Sequence, residues 1–303
     1  MVAFEQRVTN VSTIFPLRMI RNIWGQTARN PRCPETPRLD GKLAVVTGGN
    51  AGIGREIARG LAKRGAEVLV AARTEKTARE ACESIAKETG SKLSWVPLDL
   101  ADLASVAKAI GILNERPIDV LVANAGLMPE RYATSAQGHE LAFAVNTLAH
   151  YMLVTQLRER TKRAVILTGD IYARAKDCTP DFHYEGRGGM AYCRSKLGNL
   201  WFTLEMRKRH PDFEIVTVHP GVVRSGFGGR EPGTGPFFMI DSEAGAQAPL
   251  WCATQPVENG AYYHNTMGKM LLDDHDAARN ETRARELWET MEKLSAPFVS
   301  KES

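Results

Sequence analysis

Two polar side chains with complementary chemistry stand one helical turn apart in the run AYCRSKLGN at residues 191–199. Tyr192 and Lys196 are four residues apart in a stretch with helical periodicity, so both lie on one helix face. A phenol has an unperturbed pKa of about 10, and a neighbouring ammonium favours its ionised form. The pair therefore predicts proton exchange with an alcohol or carbonyl oxygen, although this spacing alone is common in helices.

A glycine-rich turn lies upstream of that pair, between a buried apolar run and a helical one. It reads Thr-Gly-Gly-Asn-Ala-Gly-Ile-Gly at residues 47–54. Glycine lets the backbone approach a phosphate, and a helix N-terminus offers free N–H groups and the positive end of a dipole. A purely structural turn needs glycine too, but the strand–turn–helix context favours dinucleotide binding. The residues expected to contact the cofactor are Gly48, Asn50, Gly52, Ile53 and Gly54.

The end of the second predicted strand distinguishes between the two nicotinamide dinucleotides. An NAD site usually carries an acid there for the ribose 2′-hydroxyl, whereas this chain has Ala72 followed by Arg73. A guanidinium suits a 2′-phosphate, so the sequence predicts NADP(H) over NAD(H). The alternative is an arginine that only faces solvent. Two later strand ends are expected to border the adenine and the ribose, namely Asp99-Leu100 and Asn124-Ala125-Gly126.

Apolar runs and helical segments alternate from residue 42 onward, and this alternation predicts the elements that position the motifs. Strands are expected at 42–47, 67–72, 93–98, 118–123, 164–168 and 214–219, and helices at 53–64, 75–88, 103–113, 138–160 and 189–209. Strands that are apolar on both faces and separated by helices form a parallel sheet covered on both sides. The predicted fold is α/β, with a single Rossmann-like, doubly wound sheet. It spans residues 41–295, between an N-terminal extension (1–40) and a C-terminal tail (296–303).

Composition excludes several classes of protein. The 303 residues carry a mild formal net charge of +4 without a run of five like charges, so nucleic acid is not an expected partner. The five cysteines form no CxxC pair, which argues for free thiols and against zinc. Since no apolar run reaches the ~18 residues of a membrane span, we expect a cytoplasmic protein. Residues 15–24 could form a short basic amphipathic helix, which either docks on the domain, as we favour, or contacts a membrane surface.

Taken together, these motifs resemble those of the short-chain dehydrogenase/reductase family, in its retinol dehydrogenase-like branch. The resemblance covers residues 41–294. Beyond the motifs above, it includes AVNTLAHYMLV at 144–154, HPGVVRS at 219–225 and ELWETMEKL at 286–294. It implies one Rossmann-like domain that assembles into homodimers or homotetramers.

The resemblance also implies roles for individual residues. Asn146 would hold a water in a proton relay to Lys196. The nicotinamide would be bordered by Pro220, Val222, Val223 and Ser225. Segments 171–190 and 226–242 would shape the substrate pocket. Their aromatic residues either suit a bulky apolar substrate or simply pack the loops, and they are Tyr172, Phe182, Tyr184, Phe227, Phe237 and Phe238.

One position departs from the family pattern. A serine that donates to the substrate oxygen is usual just past the fifth strand, and Asp170 stands there. An ionised carboxylate only accepts hydrogen bonds, and loss of one oxyanion donor costs on the order of 10²–10³ in rate. Three explanations are open: a protonated Asp170 donates, Thr168 supplies the hydroxyl, or the protein is a poor catalyst. A fourth is that the match of this loop to the family pattern is shifted by one or two residues, so that Asp170 does not occupy the serine position.

The sequence predicts NADP(H)-dependent interconversion of an alcohol and a ketone or aldehyde on a lipophilic substrate, such as a steroid, retinoid or polyketide-like ketone. Tyr192 would exchange the proton, Lys196 would lower its pKa, and Asp170 would replace the serine. The alternative is a cofactor-binding regulatory or scaffold protein with vestigial chemistry. The intact Tyr192 and Lys196 favour the enzyme, whereas Asp170 favours the alternative.

Overall fold

A nine-stranded sheet forms the centre of the protein. The computed structural model describes residues 9–10, 23, 25–26, 31–224, 234–266 and 268–299. Its strands are β1 (Thr9–Asn10), β2 (Leu43–Thr47), β3 (Glu67–Ala72), β4 (Leu93–Pro97), β5 (Ile118–Ala123), β6 (Thr161–Leu167), β7 (Glu214–His219), β8 (Tyr262–His264) and β9 (Gly268–Leu271). The order across the sheet is β1-β9-β8-β7-β6-β5-β2-β3-β4. Every neighbouring pair is parallel except β8 with β9.

Helices cover both faces of this sheet. They are α1 (Gly52–Lys63), α2 (Glu75–Thr89), α3 (Leu103–Leu113), α4, α5 (Gly189–Arg209), α6 (Ser242–Thr254) and α7 (Glu281–Ser295). Helix α4 is continuous but not uniform, since it joins Leu141–Phe143, a π-helical turn at Ala144–Leu148 and Ala149–Leu157. Short 3₁₀ turns occur at Arg158–Arg160, Asp170–Arg174, Ala277–Arg279 and Ala296–Phe298.

Two hydrophobic cores lie on opposite faces of the sheet. Successive strand residues point to opposite faces, so Leu43 and Val45 enter one core while Ala44 and Val46 enter the other. Helices α3, α4, α5 and α7 contribute to the first core, and α1, α2 and α6 contribute to the second. This two-sided burial confirms the predicted doubly wound α/β sheet.

The parallel arrangement brings the carboxyl ends of β2, β5, β6, β7 and β8 to one edge of the sheet. The chain leaves β2 toward β3 on one side, while β5 pairs with β2 on the other. Ligands of open α/β sheets bind in the crevice where the strand order reverses in this way. The candidate site is therefore expected between the ends of β2 and β5.

Several element boundaries differ from the sequence expectation. The helix expected at 138–160 begins at Leu141, because the Glu140 carboxylate accepts the Ala142 and Phe143 N–H groups at 2.8 Å each. Strand β6 begins at Thr161 rather than 164 and ends at Leu167. Helices α6 and α7 and strands β1, β8 and β9 were not predicted at all.

Part of the N-terminal extension belongs to the folded domain. Its residues Thr9–Asn10 pair in parallel with β9 at the edge of the sheet. The buried Gln26 contacts the loop after β7 through three hydrogen bonds. Of the amphipathic segment 15–24, only Ile23 is among the described residues. No helix in the described ranges is both long and apolar enough to cross a bilayer.

Candidate active site

A cavity of about 740 Å³ opens at the carboxyl edge of the sheet, where the strand order reverses. The glycine turn forms one side of it and the N-terminal turns of α5 form another. The cavity collects most of the residues that the sequence singled out, namely Gly48, Gly52, Ile53, Gly54, Asn124, Ala125, Gly126, Asp170, Tyr192, Lys196, Pro220, Val222 and Val223.

The glycine turn has the geometry that a dinucleotide phosphate requires. Gly48 and Gly52 adopt φ values of 66° and 53°, which other residues rarely adopt. A Cβ at Gly54 would clash with the Gly48 carbonyl and the Asn124 side chain. Ala51 caps α1 without a side-chain hydrogen bond, and the first turn carries no acid. The N–H groups of that turn are thus left for an anionic ligand, and the residues present fit a pyrophosphate.

Polar side chains beneath the turn hold β2 and β5 in register. The Thr47 hydroxyl oxygen accepts the N–H groups of Asn124 and Ala125 at 2.9 and 3.0 Å, and Asn124 Nδ2 donates to the Thr47 carbonyl at 2.8 Å. His150 Nε2 lies 3.0 Å from the same hydroxyl. Burial lowers the pKa of His150 to about 4, so the imidazole is neutral at physiological pH. This network fixes the floor of the cavity without placing a charge there.

Five predicted cofactor residues lie outside the cavity or outside the described residues. Arg73 is exposed past the end of β3 and makes no ion pair with the described residues. Asp99 accepts the Ala101 N–H at 2.9 Å, while Leu100 is only 7% exposed and packs in the core. Asn50 donates to Thr77 Oγ1 at 3.0 Å. Ser225 is not among the described residues.

Tyr192 and Lys196 lie close together on α5, as their spacing predicts. Lys196 Nζ lies 5.4 Å from the centre of the Tyr192 ring and donates to the Leu167 carbonyl at 3.0 Å. Burial raises the pKa of Tyr192, and burial lowers the pKa of Lys196 to about 8. The protein groups alone therefore favour a neutral phenol. The expected lowering of the Tyr192 pKa by Lys196 does not outweigh the increase that burial causes.

Asn146 occupies the π-helical turn of α4 and is fully buried. Its amide pairs with the Leu127 backbone, accepting the N–H at 2.8 Å and donating to the carbonyl at 2.9 Å. Its Nδ2 also donates to Ser195 Oγ at 2.9 Å. A Cβ on Gly126 would lie 3.1 Å from Asn146 Oδ1 and 3.7 Å from Lys196 Nζ. Asn146 thus links the end of β5 to α5 at the level of Lys196.

Asp170 lies in the cavity wall, next to the buried side chains of Tyr262 and His264. The Tyr262 hydroxyl donates to Oδ1 at 2.6 Å, and His264 Nε2 lies 3.2 Å from Oδ2. The Thr168 hydroxyl donates its proton to the Lys196 carbonyl at 2.7 Å. In this arrangement it does not donate to a substrate oxygen.

Three further residues of the site were not identified from the sequence. His219 ends β7, lines the cavity and has its ring centroid 4.7 Å from that of His264. The sequence could have indicated His219, because it ends a predicted strand directly before Pro220-Gly221. The carboxyl ends of parallel strands meet at one edge of the sheet, where ligands bind. Tyr262 and His264 lie on β8, a three-residue strand that carries no motif.

The aromatic lining expected for the substrate pocket is not found among the described residues. Tyr172 is 0% exposed and donates to Asp276 at 2.9 Å. Phe182 stacks with Tyr184 and lies under the Arg194 guanidinium. These rings pack the loops, and Phe237 is 76% exposed. The apolar wall of the cavity is aliphatic and sulfur-containing instead, and is made by Ile23, Met128, Ile171, Cys193 and Met239.

Comparisons with known proteins agree with this geometry. The short chain dehydrogenase family profile matches residues 42–232. Retinol dehydrogenase 11 of Homo sapiens is 35% identical over 85% of this chain and 86% of its own length. Retinol dehydrogenase 12 of Homo sapiens is 36% identical over 84% of this chain and 87% of its own length.

Solved structures show the same architecture. An uncharacterized protein from Mycobacterium paratuberculosis is 26% identical, with a TM-score of 0.71 over 86% of this chain and 95% of its own. An alcohol dehydrogenase from the archaeon Thermococcus sibiricus, complexed with 5-hydroxy-NADP, is 25% identical, with a TM-score of 0.62 over 77% and 95% of the two chains. The chain therefore belongs to the short-chain dehydrogenase family, in its retinol dehydrogenase-like branch, and is an oxidoreductase that acts on CH–OH groups.

Proposed function

We propose that the protein interconverts an alcohol and a ketone or aldehyde on a lipophilic substrate, with NADP(H) as cofactor. The observation that carries this proposal is the shared cavity in which Tyr192 and Lys196 face the glycine turn at the start of α1. A proton donor and a dinucleotide cradle in one cavity are the two parts that a hydride transfer to a carbonyl needs.

The chain's own residues would handle the proton. A bound nicotinamide would supply or accept the hydride. Tyr192, kept neutral by burial, would give its proton to the carbonyl oxygen during reduction. Lys196 would replenish that proton and hold the ribose, at a pKa of about 8 that suits proton exchange near neutral pH. Asn146 would hold the backbone beside Lys196, where the family resemblance places a relay water.

NADP(H) is favoured over NAD(H) by Arg73 and by the lack of an acid at the end of β3. The archaeal relative in complex with 5-hydroxy-NADP supports the same preference. Since a hydrogen bond to a charged group is worth about 1.5–3 kcal/mol, Arg73→Ala should raise the Kd for NADPH by about 10- to 100-fold. The Kd for NADH should not change. Lys87→Ala, at the far end of α2, is the control, and equal Kd values for the two cofactors in wild type would refute the preference.

A lipophilic substrate is supported by the aliphatic wall of the cavity, formed in part by Met128, Ile171 and Met239. The names of the retinol dehydrogenase relatives point in the same direction. The substrate itself, a homodimer or homotetramer, and contact of residues 15–24 with a membrane surface remain predictions.

The direct test is NADPH consumption with a panel of aromatic, steroidal and retinoid carbonyl compounds. The enzyme hypothesis predicts turnover of at least one apolar ketone or aldehyde, and loss of that turnover in Tyr192→Phe. Tight NADPH binding with no turnover across the panel, in both directions, would favour the regulatory or scaffold alternative.

A further inference from the structure

One lysine and one arginine are among the described residues that line the cavity, and they lie at different depths. Lys196 is only 5% exposed, and its amine donates to the Leu167 carbonyl near the Tyr192 ring. Arg174 is exposed to solvent, so its guanidinium lies at the mouth of the cavity. The cavity therefore has a buried end, where the reaction would occur, and an open end that carries a positive charge.

A short 3₁₀ turn connects the two ends of the cavity. It runs from Asp170 to Arg174, and a Cβ on Gly169 just before it would lie 3.9 Å from Tyr192 Oη. Side chains three residues apart in a 3₁₀ helix project on the same side, and accordingly Ile171 and Arg174 both line the cavity. A rise of about 2 Å per residue places Arg174 about 8 Å beyond Asp170 along the turn. The wall between the reacting groups and Arg174 includes the apolar side chain of Ile171.

The charge of Arg174 also acts on the neighbouring helix α5. Burial raises the pKa of the Cys193 thiol, and the Arg174 guanidinium acts on that pKa in the opposite direction. Cys193 lines the cavity directly after Tyr192 in the chain. The guanidinium therefore lies on the side of the cavity where Tyr192 would meet the substrate.

No carboxylate of the described residues pairs with this guanidinium. Arg174 makes no hydrogen bond or ion pair within the part of the chain that the structure describes. Arg194 on α5 provides the contrast. It pairs with Asp177, donates to Thr179 Oγ1 at 2.8 Å and lies over the Phe182 ring. Arg194 thus holds its own loop in place, whereas the donors of Arg174 are open to a bound molecule.

We propose that Arg174 binds a carboxylate group that the substrate carries at the end remote from its carbonyl. The preferred substrates are then apolar keto acids and the corresponding hydroxy acids, and this inference rests on the reaction proposed above. A planar guanidinium matches a carboxylate with two parallel hydrogen bonds. The aliphatic wall of the cavity contacts the chain that joins the two groups of the substrate.

The carboxylate binds but does not react. The carbonyl carbon gains a hydride from NADPH, and the carbonyl oxygen gains the proton of Tyr192. The C=O double bond becomes a C–O single bond, and the products are the hydroxy acid and NADP⁺. Because the ion pair with Arg174 is the same before and during hydride transfer, it should lower KM more than it raises kcat.

The test compares three keto acids of increasing chain length with their methyl esters, namely 3-benzoylpropanoate, 5-benzoylpentanoate and 7-benzoylheptanoate. Each ester keeps the carbon skeleton but has no charge. An exposed ion pair corresponds to at most about 5-fold, and a hydrogen bond to a charged group to about 10- to 100-fold. For the best-fitting chain, kcat/KM of the acid should exceed that of the ester by about 10-fold in wild type. Added salt should reduce this ratio, because it screens the charges.

Two variants separate recognition of the carboxylate from a general effect of charge. Arg174→Gln should bring the acid/ester ratio close to one by raising the KM for the acid. Arg174→Lys should keep part of the ratio, because it retains the charge without the planar fork. Lys176→Gln is the matched control, since this exposed lysine lies in the same segment outside the described cavity lining, and it should keep the wild-type ratio. A wild-type ratio in Arg174→Gln overturns the proposal.

The failure of this inference differs from failure of the proposed function. Turnover of the esters and acids with no preference for the acid at any chain length, or with a preference that Arg174→Gln keeps, refutes the role of Arg174 alone. No NADPH consumption with any of these ketones, and no reduction of NADP⁺ with the corresponding alcohols, refutes both.

Discussion

The two sides of the cavity are built by different means, although both lie at the carboxyl edge of the same sheet. The nucleotide side comprises residues 47–54 and 124–126, and it is held by neutral groups such as Thr47, Asn124 and the uncharged His150. The reaction side comprises residues 168–170, 192–196, 219 and 262–264. It holds a buried carboxylate on Asp170 and a buried amine on Lys196.

The contrast between neutral groups on one side and ionisable groups on the other matches the two tasks of the cavity, which are binding and reaction. Neutral backbone and amide groups can bind a phosphate with little cost to the free energy of folding, because the folded protein buries no charge to form them. Buried ionisable groups are costly unless they are paired, and perturbed pKa values tend to mark functional sites. Substitutions that alter the shape of the glycine turn should therefore weaken the nucleotide side most, and substitutions of ionisable groups should weaken the reaction side most.

The largest effect is expected from Tyr192→Phe on the reaction side. Removal of a general acid typically lowers a rate by about 10²–10⁴, so kcat should fall by that factor. The Kd for NADPH should stay close to that of wild type, because the nucleotide side is unchanged. Tyr132→Phe, outside the cavity, should keep full activity. A Tyr192→Phe variant with more than a tenth of wild-type kcat would contradict the assignment.

Lys196→Met tests how much stability the buried amine costs. Burial lowers the Lys196 pKa from 10.5 to about 8 in the folded state. Between these values the unfolded chain binds more protons, so wild-type stability gains a contribution as pH rises from 8 to 10.5. At pH 7 the variant should therefore be more stable than wild type, by a few kcal/mol at most.

The measurement is the difference in Tm between Lys196→Met and wild type, both free of cofactor, from pH 7 to 10. The difference should shrink as pH rises, because only the wild type loses the cost of a buried charge. Lys87→Met, at an exposed position on α2, should show no such trend. A difference that is constant over this range would contradict the lowered pKa.

Gly54→Ala tests the sensitivity of the nucleotide side to shape. The added Cβ would clash with the Gly48 carbonyl and the Asn124 amide, and overpacking of this kind costs about 1–3 kcal/mol. The free energy of unfolding should fall by that amount, and NADPH binding should weaken. Gly111→Ala, where nothing lies within 4 Å, is the matched control and should not destabilise the protein. Unchanged NADPH affinity in Gly54→Ala would show that the turn does not carry the phosphate.

Gln26→Ala tests whether the N-terminal extension, a third part of the chain that lines the cavity, stabilises the loop after β7. Gln26 is 2% exposed, accepts the Val222 N–H at 2.9 Å and donates to the Val222 and Phe238 carbonyls at 3.1 and 2.7 Å. Loss of these bonds should lower the free energy of unfolding by about 1–2 kcal/mol. The KM for ketones should also rise, because Ile23 and Gln26 line the cavity. If Gln26→Ala and the exposed control Gln156→Ala have the same Tm, the extension does not brace this loop.

The nucleotide side was largely predictable from the sequence, whereas the reaction side was only partly so. Strands β3, β5 and β7 and helices α3 and α5 have the bounds that periodicity predicted, because each is an uninterrupted local pattern. Helix α6 was missed because it is nearly apolar on all sides and contains Pro249, which is unusual inside a helix.

The partners of Asp170 could not be predicted for a different reason. Tyr262 and His264 lie 92 and 94 positions beyond Asp170, so only the register of β7 with β8 brings them to it. No spacing rule connects residues so far apart. The same holds for Gln26, which lies 196 residues before Val222. Local motifs thus identified the cofactor cradle and the Tyr192–Lys196 pair, and the fold was needed to find the groups that hold Asp170 and the loop after β7.

The most direct test of the central claim is transfer of deuterium to a ketone substrate from NADPH that carries deuterium at both C4 positions. We predict that the product alcohol carries one deuterium on its carbinol carbon for each labelled cofactor consumed, and that Tyr192→Phe binds the cofactor but transfers the label at least about 100-fold more slowly. Tight cofactor binding with no label in any product, or label transfer that is equally fast in Tyr192→Phe, would contradict the account.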